Sequence, residues 1–277
     1  MRNPWNLQVS GPGEALPLVF LHGFMGNGED WREVVEPLSS SFRCVTLDLP
    51  FHGKHTQPSP DLGSFEGFSA GLREVLTAHR LLPAVFIGYS MGGRLALTFA
   101  KYYPDDCRAL VIESATPGLM DPDERRRRYE QDYRLASRLE FLPDKTAFAA
   151  FLQDWYRQPI FPTWAEDEEQ RRRMVERRLH TNNPHGLAMA LRTYSVGRQP
   201  SYWDDLGRWK MPMLWIAGGR DQKYSEIVSR VVGVSRHAQS WIAADVGHTV
   251  HAENPVGYTL RVRDFLHTVA SQAPPKI

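Results

Sequence analysis

The sequence predicts an α/β fold: a mostly parallel central sheet flanked by helices, with a helical segment inserted over one edge. Three observations carry this. Short apolar runs of strand length, such as Leu18-Val19-Phe20-Leu21 and Ala84-Val85-Phe86-Ile87, recur along the chain. Helix-like stretches separate them, and that alternation builds parallel sheets with helices on both faces. Between Leu119 and about Pro200 the alternation stops, and the residues are helical, Arg-rich and aromatic, with no convincing strand.

The elements follow in order. Trp5 to Val9 alternates like an edge strand, and Gly11-Pro12-Gly13 turns the chain after it. Leu18 to Leu21 is a central strand leading into the loop His22-Gly23-Phe24-Met25-Gly26-Asn27-Gly28. Asp30 to Leu38 reads as a helix, and Arg43 to Leu47 as a strand that ends in Asp48-Leu49-Pro50-Phe51-His52. Phe65 to His79 is a helix, Ala84 to Ile87 a strand, Arg94 to Ala100 a helix and Ala109 to Glu113 a strand. Asp121-Pro122-Asp123-Glu124 opens the inserted segment with a helix-start signal. Strand character returns in Met213 to Ala217 and Gln239 to Ile242, and a final amphipathic helix runs from about Pro255 to Val269. The expected division is therefore a core from 1–118 and 201–277, with a helical cap over 119–200.

Composition narrows the function classes. A chain of 277 residues, 42% hydrophobic and 23% charged, suits one sizeable domain or a core with an inserted lobe. A net charge of +1 gives no global drive toward nucleic acid or an acidic membrane. No apolar run is long enough for a transmembrane helix, and Met1-Arg2-Asn3-Pro4-Trp5 lacks the apolar core of a signal peptide. Cys44 and Cys107 are far apart and sit in or beside apolar runs, as core thiols of a cytoplasmic protein would. No motif implies a metal or organic cofactor, and the sequence does not fix an oligomeric state.

The chemistry centres on Gly88-Tyr89-Ser90-Met91-Gly92-Gly93, which lies between a strand and a helix. A strand, a sharp Gly-x-Ser-x-Gly turn and a helix make a nucleophile elbow, with the serine hydroxyl raised above the sheet. The His-Gly loop after the second strand commonly supplies one oxyanion-hole amide, so Phe24 and Met91 are the expected backbone donors. Asp221 follows the penultimate strand as Gly218-x-x-Asp221, and His248 follows the last strand as Gly247-His248. The order Ser90, Asp221, His248 matches the α/β-hydrolase arrangement of nucleophile, acid and histidine. Asp245 is a competing acid, and His52 is expected to be structural. Arg94, one helical turn after Ser90, needs a partner for its charge: a ligand carboxylate, or an acidic side chain in the same protein.

Several stretches resemble one family more closely than the fold requires. They are Leu21-His22-Gly23-Phe24-Met25-Gly26, Gly88 to Arg94, Glu113 to Leu119, Asp154-Trp155-Tyr156-Arg157-Gln158-Pro159, Gly218 to Tyr224 and Gly247 to Pro255. The chain resembles the 2-succinyl-6-hydroxy-2,4-cyclohexadiene-1-carboxylate synthases of menaquinone and phylloquinone biosynthesis, over nearly its whole length. The resemblance implies a lyase that eliminates pyruvate from a succinylated, enolpyruvyl-bearing cyclohexene. Ser90 would remove a carbon-bound proton with His248 as its activator, and no acyl-enzyme would form. The resemblance also implies that Tyr89, Arg94, Arg128, Trp155 and Arg178 contact a small polycarboxylate substrate. A carboxylesterase or carbon–carbon bond hydrolase would need the same triad but gives no reason for the arginines. A non-catalytic binding protein of this fold would not need an intact triad.

Overall fold

The computed structural model describes residues 5–56 and 59–271. Most of the N-terminal stretch read above, residues 1–4, lies outside them. Among the described residues seven strands form one sheet: β1 (Gln8–Ser10), β2 (Pro17–Leu21), β3 (Arg43–Thr46), β4 (Ala84–Tyr89), β5 (Cys107–Glu113), β6 (Met213–Gly218) and β7 (Ala238–Ala243). Their order is β1-β3-β2-β4-β5-β6-β7, with β1 antiparallel to β3 and every other pairing parallel. The register aligns Leu21, Gly88, Ile112 and Trp215 across four neighbouring strands. The loops that follow these strands therefore leave from one edge, where sites form in open α/β sheets.

The core helices are α1 (Arg32–Leu38), α2 (Phe65–Ala78) and α3 (Met91–Tyr102). The inserted segment forms α4 (Pro122–Glu140), α5 (Lys145–Tyr156), α6 (Pro162–Glu166), α7 (Glu168–Thr181) and α8 (Pro184–Thr193). Among the described residues four further helices follow it: α9 (Trp203–Leu206), α10 (Gln222–Val234), α11 (Val250–Glu253) and α12 (Pro255–Ser271). Alternate strand residues point to opposite faces, and the two faces are covered by different helices. Leu18, Phe20, Val85 and Ile87 pack with Val34 and Leu38 of α1 and with Val262 and Phe265 of α12. Val19, Leu21, Phe86 and Ile112 pack with Phe68 and Leu72 of α2, Leu95 and Phe99 of α3, and Val228 of α10.

Several elements run a residue or more past their predicted ends, and two near the N-terminus start differently. The edge strand starts at Gln8 rather than Trp5, because Asn6 adopts φ +45° and breaks the extended run. Trp5 is buried instead against Phe68 and His55. The helix expected from Asp30 begins as a 3-10 turn over Gly28–Trp31, capped by Asn27, before α1 proper.

Among the described residues no strand lies between Glu113 and Met213. Side-chain caps start the longer helices there: Asp121 for α4, Asp144 for α5, Asp167 for α7 and Asn183 for α8. These helices share an apolar cluster of their own, including Leu139, Phe148, Leu152, Trp164 and Leu187, with Met25 from the core loop inserted into it. Many of the arginines pair along their own helix, as Arg126 does with Asp123 and Arg172 with Glu169. Exposed pairs of this kind contribute little to stability. No helix among the described residues is long and apolar enough to cross a membrane.

Candidate active site

Ser90 sits between β4 and α3 with φ +49° and ψ −107°. A non-glycine residue in such a conformation costs about 1–3 kcal/mol and persists only where its surroundings enforce it. Here the Ser90 N–H donates to the Glu113 carbonyl at 2.8 Å, which anchors the turn to β5. Glycine is required on both sides by close approach. A Cβ on Gly88 would lie 2.6 Å from the Gly92 backbone, and one on Gly92 would lie 2.1 Å from the Leu21 carbonyl oxygen.

His248 Nδ1 lies 2.5 Å from Asp221 Oδ2, and His248 Nε2 lies 3.4 Å from Ser90 Oγ. The carboxylate can only accept, so Nδ1 carries the proton and Nε2 is left to receive the Ser90 hydroxyl proton. Asp221 is fixed in turn by capping α10, accepting from the Tyr224 N–H at 3.4 Å. The competing acid, Asp245, is exposed in the turn after β7. Tyr89, Phe161 and Tyr224 surround the His248 ring, with centroid distances of 5.4, 5.7 and 4.9 Å. They hold the ring between Asp221 and Ser90.

The loop after β2, which carries Phe24, is held from behind. Leu49 N–H donates to His22 Nε2 at 2.9 Å, so the His22 proton is on Nδ1, which donates to the Gly23 carbonyl at 2.7 Å. Burial above all lowers the His22 pKa to about 4, so the ring is neutral at physiological pH. The Gly23–Phe24 peptide is trans, so its N–H points away from the carbonyl that His22 holds. Met91 begins α3, where the first amides have no intrahelical partner and the helix dipole favours negative charge. His52 is buried, with Nδ1 on the Pro50 carbonyl at 3.0 Å. Burial, then His22, lowers its pKa to about 3.

A cavity of about 640 Å³ opens over Ser90, lined by Phe24, Tyr89, Ser90, Met91 and His248 from the core. Arg94, Arg128, Trp155 and Arg178 also line it, and Asp221 stands behind His248, outside the lining. Arg94 is buried and donates to the Tyr194 carbonyl at 2.8 Å. Among the described residues no carboxylate lies at ion-pair distance from it. Burial, then repulsion from Arg128, lowers its pKa to about 10, which still leaves it cationic at neutral pH. Arg128 donates to Asp132 at 2.9 Å and remains partly exposed. Arg178 faces the cavity, but its fork already grips Asp30, at 2.9 and 2.8 Å. The Tyr89 hydroxyl bonds Thr249 at 3.1 Å, and Trp155 packs edge-on against Phe24 at 5.5 Å.

Some lining residues carried no separate signal in the sequence. Lys223, two residues beyond Asp221, adds a cation whose pKa partial burial, then Arg128, lowers. Gln131, Arg134 and Arg138 line the cavity on successive turns of α4 beyond Arg128. That periodicity becomes visible only once α4 is placed over the site. No three His, Cys, Asp or Glu side chains among the described residues group so as to hold a metal ion.

Comparison with known proteins places this geometry in a family. The α/β-hydrolase fold family matches residues 17–255. A Bacillus subtilis (strain 168) protein, provisionally named as a 2-succinyl-6-hydroxy-2,4-cyclohexadiene-1-carboxylate synthase, is 34% identical over 260 residues, spanning 94% of this chain and 93% of its own. The synthase of that name from Escherichia coli O1:K1 / APEC is 33% identical over 249 residues, spanning 90% of this chain and 93% of its own. Among solved structures, MenH from S. aureus superposes with a TM-score of 0.88 at 28% identity, covering 96% of this chain and 99% of its own. The chain belongs to the α/β-hydrolase fold family and, within it, to the 2-succinyl-6-hydroxy-2,4-cyclohexadiene-1-carboxylate synthases.

Proposed function

We propose that this chain eliminates pyruvate from 2-succinyl-5-enolpyruvyl-6-hydroxy-3-cyclohexene-1-carboxylate, giving 2-succinyl-6-hydroxy-2,4-cyclohexadiene-1-carboxylate. Ser90 Oγ takes the proton from the ring carbon beside the succinyl carbonyl, as His248 Nε2 takes the Ser90 hydroxyl proton. Asp221 holds the imidazole in orientation and stabilises its cation. The charge that develops on the succinyl carbonyl oxygen is met by the Phe24 and Met91 amides. The ring then forms its second double bond as the carbon–oxygen bond to the enolpyruvyl group breaks. The departing enolpyruvate recovers a proton and becomes pyruvate, so no water and no acyl-enzyme enter the balance.

The observation that carries this reading is Arg94, a buried cation without a carboxylate partner among the described residues, in the same cavity as Ser90. A substrate carboxylate supplies that partner, and Arg128 provides a second cation from α4. Tyr89 and Trp155 give the ring apolar walls, and Arg178 stands at the loop side of the cavity. In this reading residues 119–200 are a cap over the catalytic edge of a core formed by 1–118 and 201–277. The buried, free thiols Cys44 and Cys107 suit a cytoplasmic enzyme.

The test is pyruvate release from freshly made substrate, followed by a coupled dehydrogenase, beside hydrolysis of a neutral nitrophenyl ester. Rapid release that Ser90→Ala abolishes, with no acylated Ser90 by mass spectrometry during turnover, is the expected result. Ester cleavage without pyruvate release would make the protein a carboxylesterase or carbon–carbon bond hydrolase instead.

A further inference from the structure

The turn that carries Phe24 is tied to α7 by two sets of hydrogen bonds, and Arg177 of α7 adds a longer ion pair to Asp30 at 3.7 Å. Arg178 forks onto Asp30, with Nη1 on Oδ1 at 2.9 Å and Nη2 on Oδ2 at 2.8 Å. One helical turn later, Asn182 Nδ2 donates to the Met25 carbonyl at 2.8 Å. Asp30 also shapes the turn from within, because its Oδ2 accepts the Asn27 N–H at 3.2 Å. A Cβ on Gly26 would lie 2.7 Å from Asp30 Oδ2 and 2.8 Å from His22 Nδ1, so this carboxylate and His22 both press on the turn. Met25 itself adopts φ +67°, a conformation a non-glycine side chain holds only under constraint.

The ion pair is buried, with side-chain exposures of 7% for Arg178 and 10% for Asp30. Burying two charges is a weak source of stability, since apolar residues of similar size often do as well. What it does provide is position, because a bidentate fork fixes both distance and plane. The third side of the guanidinium is also engaged, with Nε on the Tyr156 hydroxyl at 3.2 Å. Arg178 therefore has little of its donor geometry left for a substrate, although it faces the cavity.

We infer that Asp30 and Arg178 act as one positioning unit, through which α7 sets the oxyanion turn and hence the Phe24 amide. The inference rests on Phe24 as an oxyanion donor, and it assigns Asp30 a part in turnover without contact with the reacting atoms. Arg178 then supports kcat through the turn rather than KM through a carboxylate.

The experiment is steady-state kinetics of Asp30→Ala, Arg178→Ala and the double variant, for pyruvate release and for neutral ester hydrolysis. Each single variant is expected to lower kcat at least about tenfold, since small misplacements of an oxyanion donor have effects of that order. KM should stay within about threefold, and the double variant should fall no more than about threefold below the worse single, as for residues acting as a unit. Ester hydrolysis should fall in parallel, because it uses the same amide. The inference is overturned if Arg178→Ala raises KM and spares kcat while Asp30→Ala changes neither, or if the two losses multiply. Should circular dichroism show that Asp30→Ala does not fold, Asn182→Ala removes the tie to Met25 and leaves the Asp30–Arg178 pair in place. It should lower kcat about threefold without moving KM, and an unchanged kcat counts against the inference. A wild type that releases no pyruvate, yet hydrolyses ester in a way that depends on Asp30 and Arg178, would overturn the proposed reaction and leave the positioning unit standing.

Discussion

Arg94 is a cation placed where folding alone has little use for one. It is buried in α3, one turn beyond Ser90, and bonded to the Tyr194 carbonyl rather than to a carboxylate. A charge-assisted hydrogen bond to a substrate carboxylate contributes about 1.5–3 kcal/mol. Arg94→Met fills the same space without the charge, and should therefore lower kcat/KM for the acidic substrate roughly 10- to 150-fold. A neutral ester has no carboxylate to lose, so its hydrolysis should change little. The same variant relieves the burial of a cation that lacks a counter-charge, so it should melt at or above the wild-type temperature. Equal loss of both activities would place Arg94 in the catalytic frame rather than in substrate binding. A lower melting temperature would show that the guanidinium holds the helix in place.

The element on which the site depends most is α3, which begins directly after Ser90. Its first turn lies so close to β2 that a Cβ on Gly92 would stand 2.1 Å from the Leu21 carbonyl oxygen. Backbone cannot yield as a flexible side chain does, so Gly92→Ala should cost about 3 kcal/mol or more. That is a fall of roughly 5–10 °C in melting temperature for a chain of this size, read by calorimetry. An unchanged midpoint would mean that α3 can move away from β2 freely. These elements were legible in the sequence because their signals are local. Apolar runs marked the interior strands, the glycine spacing marked the elbow, and Asp121-Pro122 marked the start of α4. The edge strand was shorter than its pattern because one residue, Asn6, leaves the extended region, and alternation does not register a single dihedral. At the site, Ser90, Asp221 and His248 were legible because each follows a strand. The Asp30–Arg178 pair was not, since it joins residues 148 positions apart and only the packing of α7 on the loop brings them together. The place of Phe161 on the His248 ring was hidden for the same reason.

At the scale of the whole molecule, the inserted helices α4 to α8 pack over the loops that leave β2 and β3, and this region concentrates buried histidines. His22, His52 and His55 are all buried, and burial is the first cause lowering each pKa. His22 falls from 6.5 to about 4 and His52 from 6.5 to about 3. Above pH 6.5 both rings are neutral whether the chain is folded or not, so they impose no pH dependence on stability there. Below it the unfolded chain takes up protons that the folded chain refuses, and stability falls as pH drops. The loss from His22 continues to about pH 4, and that from His52 to about pH 3. Asp30, held below its ordinary 3.8 by Arg178 against the opposing effect of burial, adds its own loss only in still more acid solution. The melting temperature should therefore decline steadily from about pH 6.5 downward, before most carboxylates begin to titrate. His52→Phe removes one of the refused protons from a ring that packs against His22 and Phe24. Its melting curve should show a shallower decline over the same range. A wild-type midpoint that stays flat between about pH 6.5 and 4.5 would show that the folded protein accepts these protons, by opening the loops beneath the inserted helices.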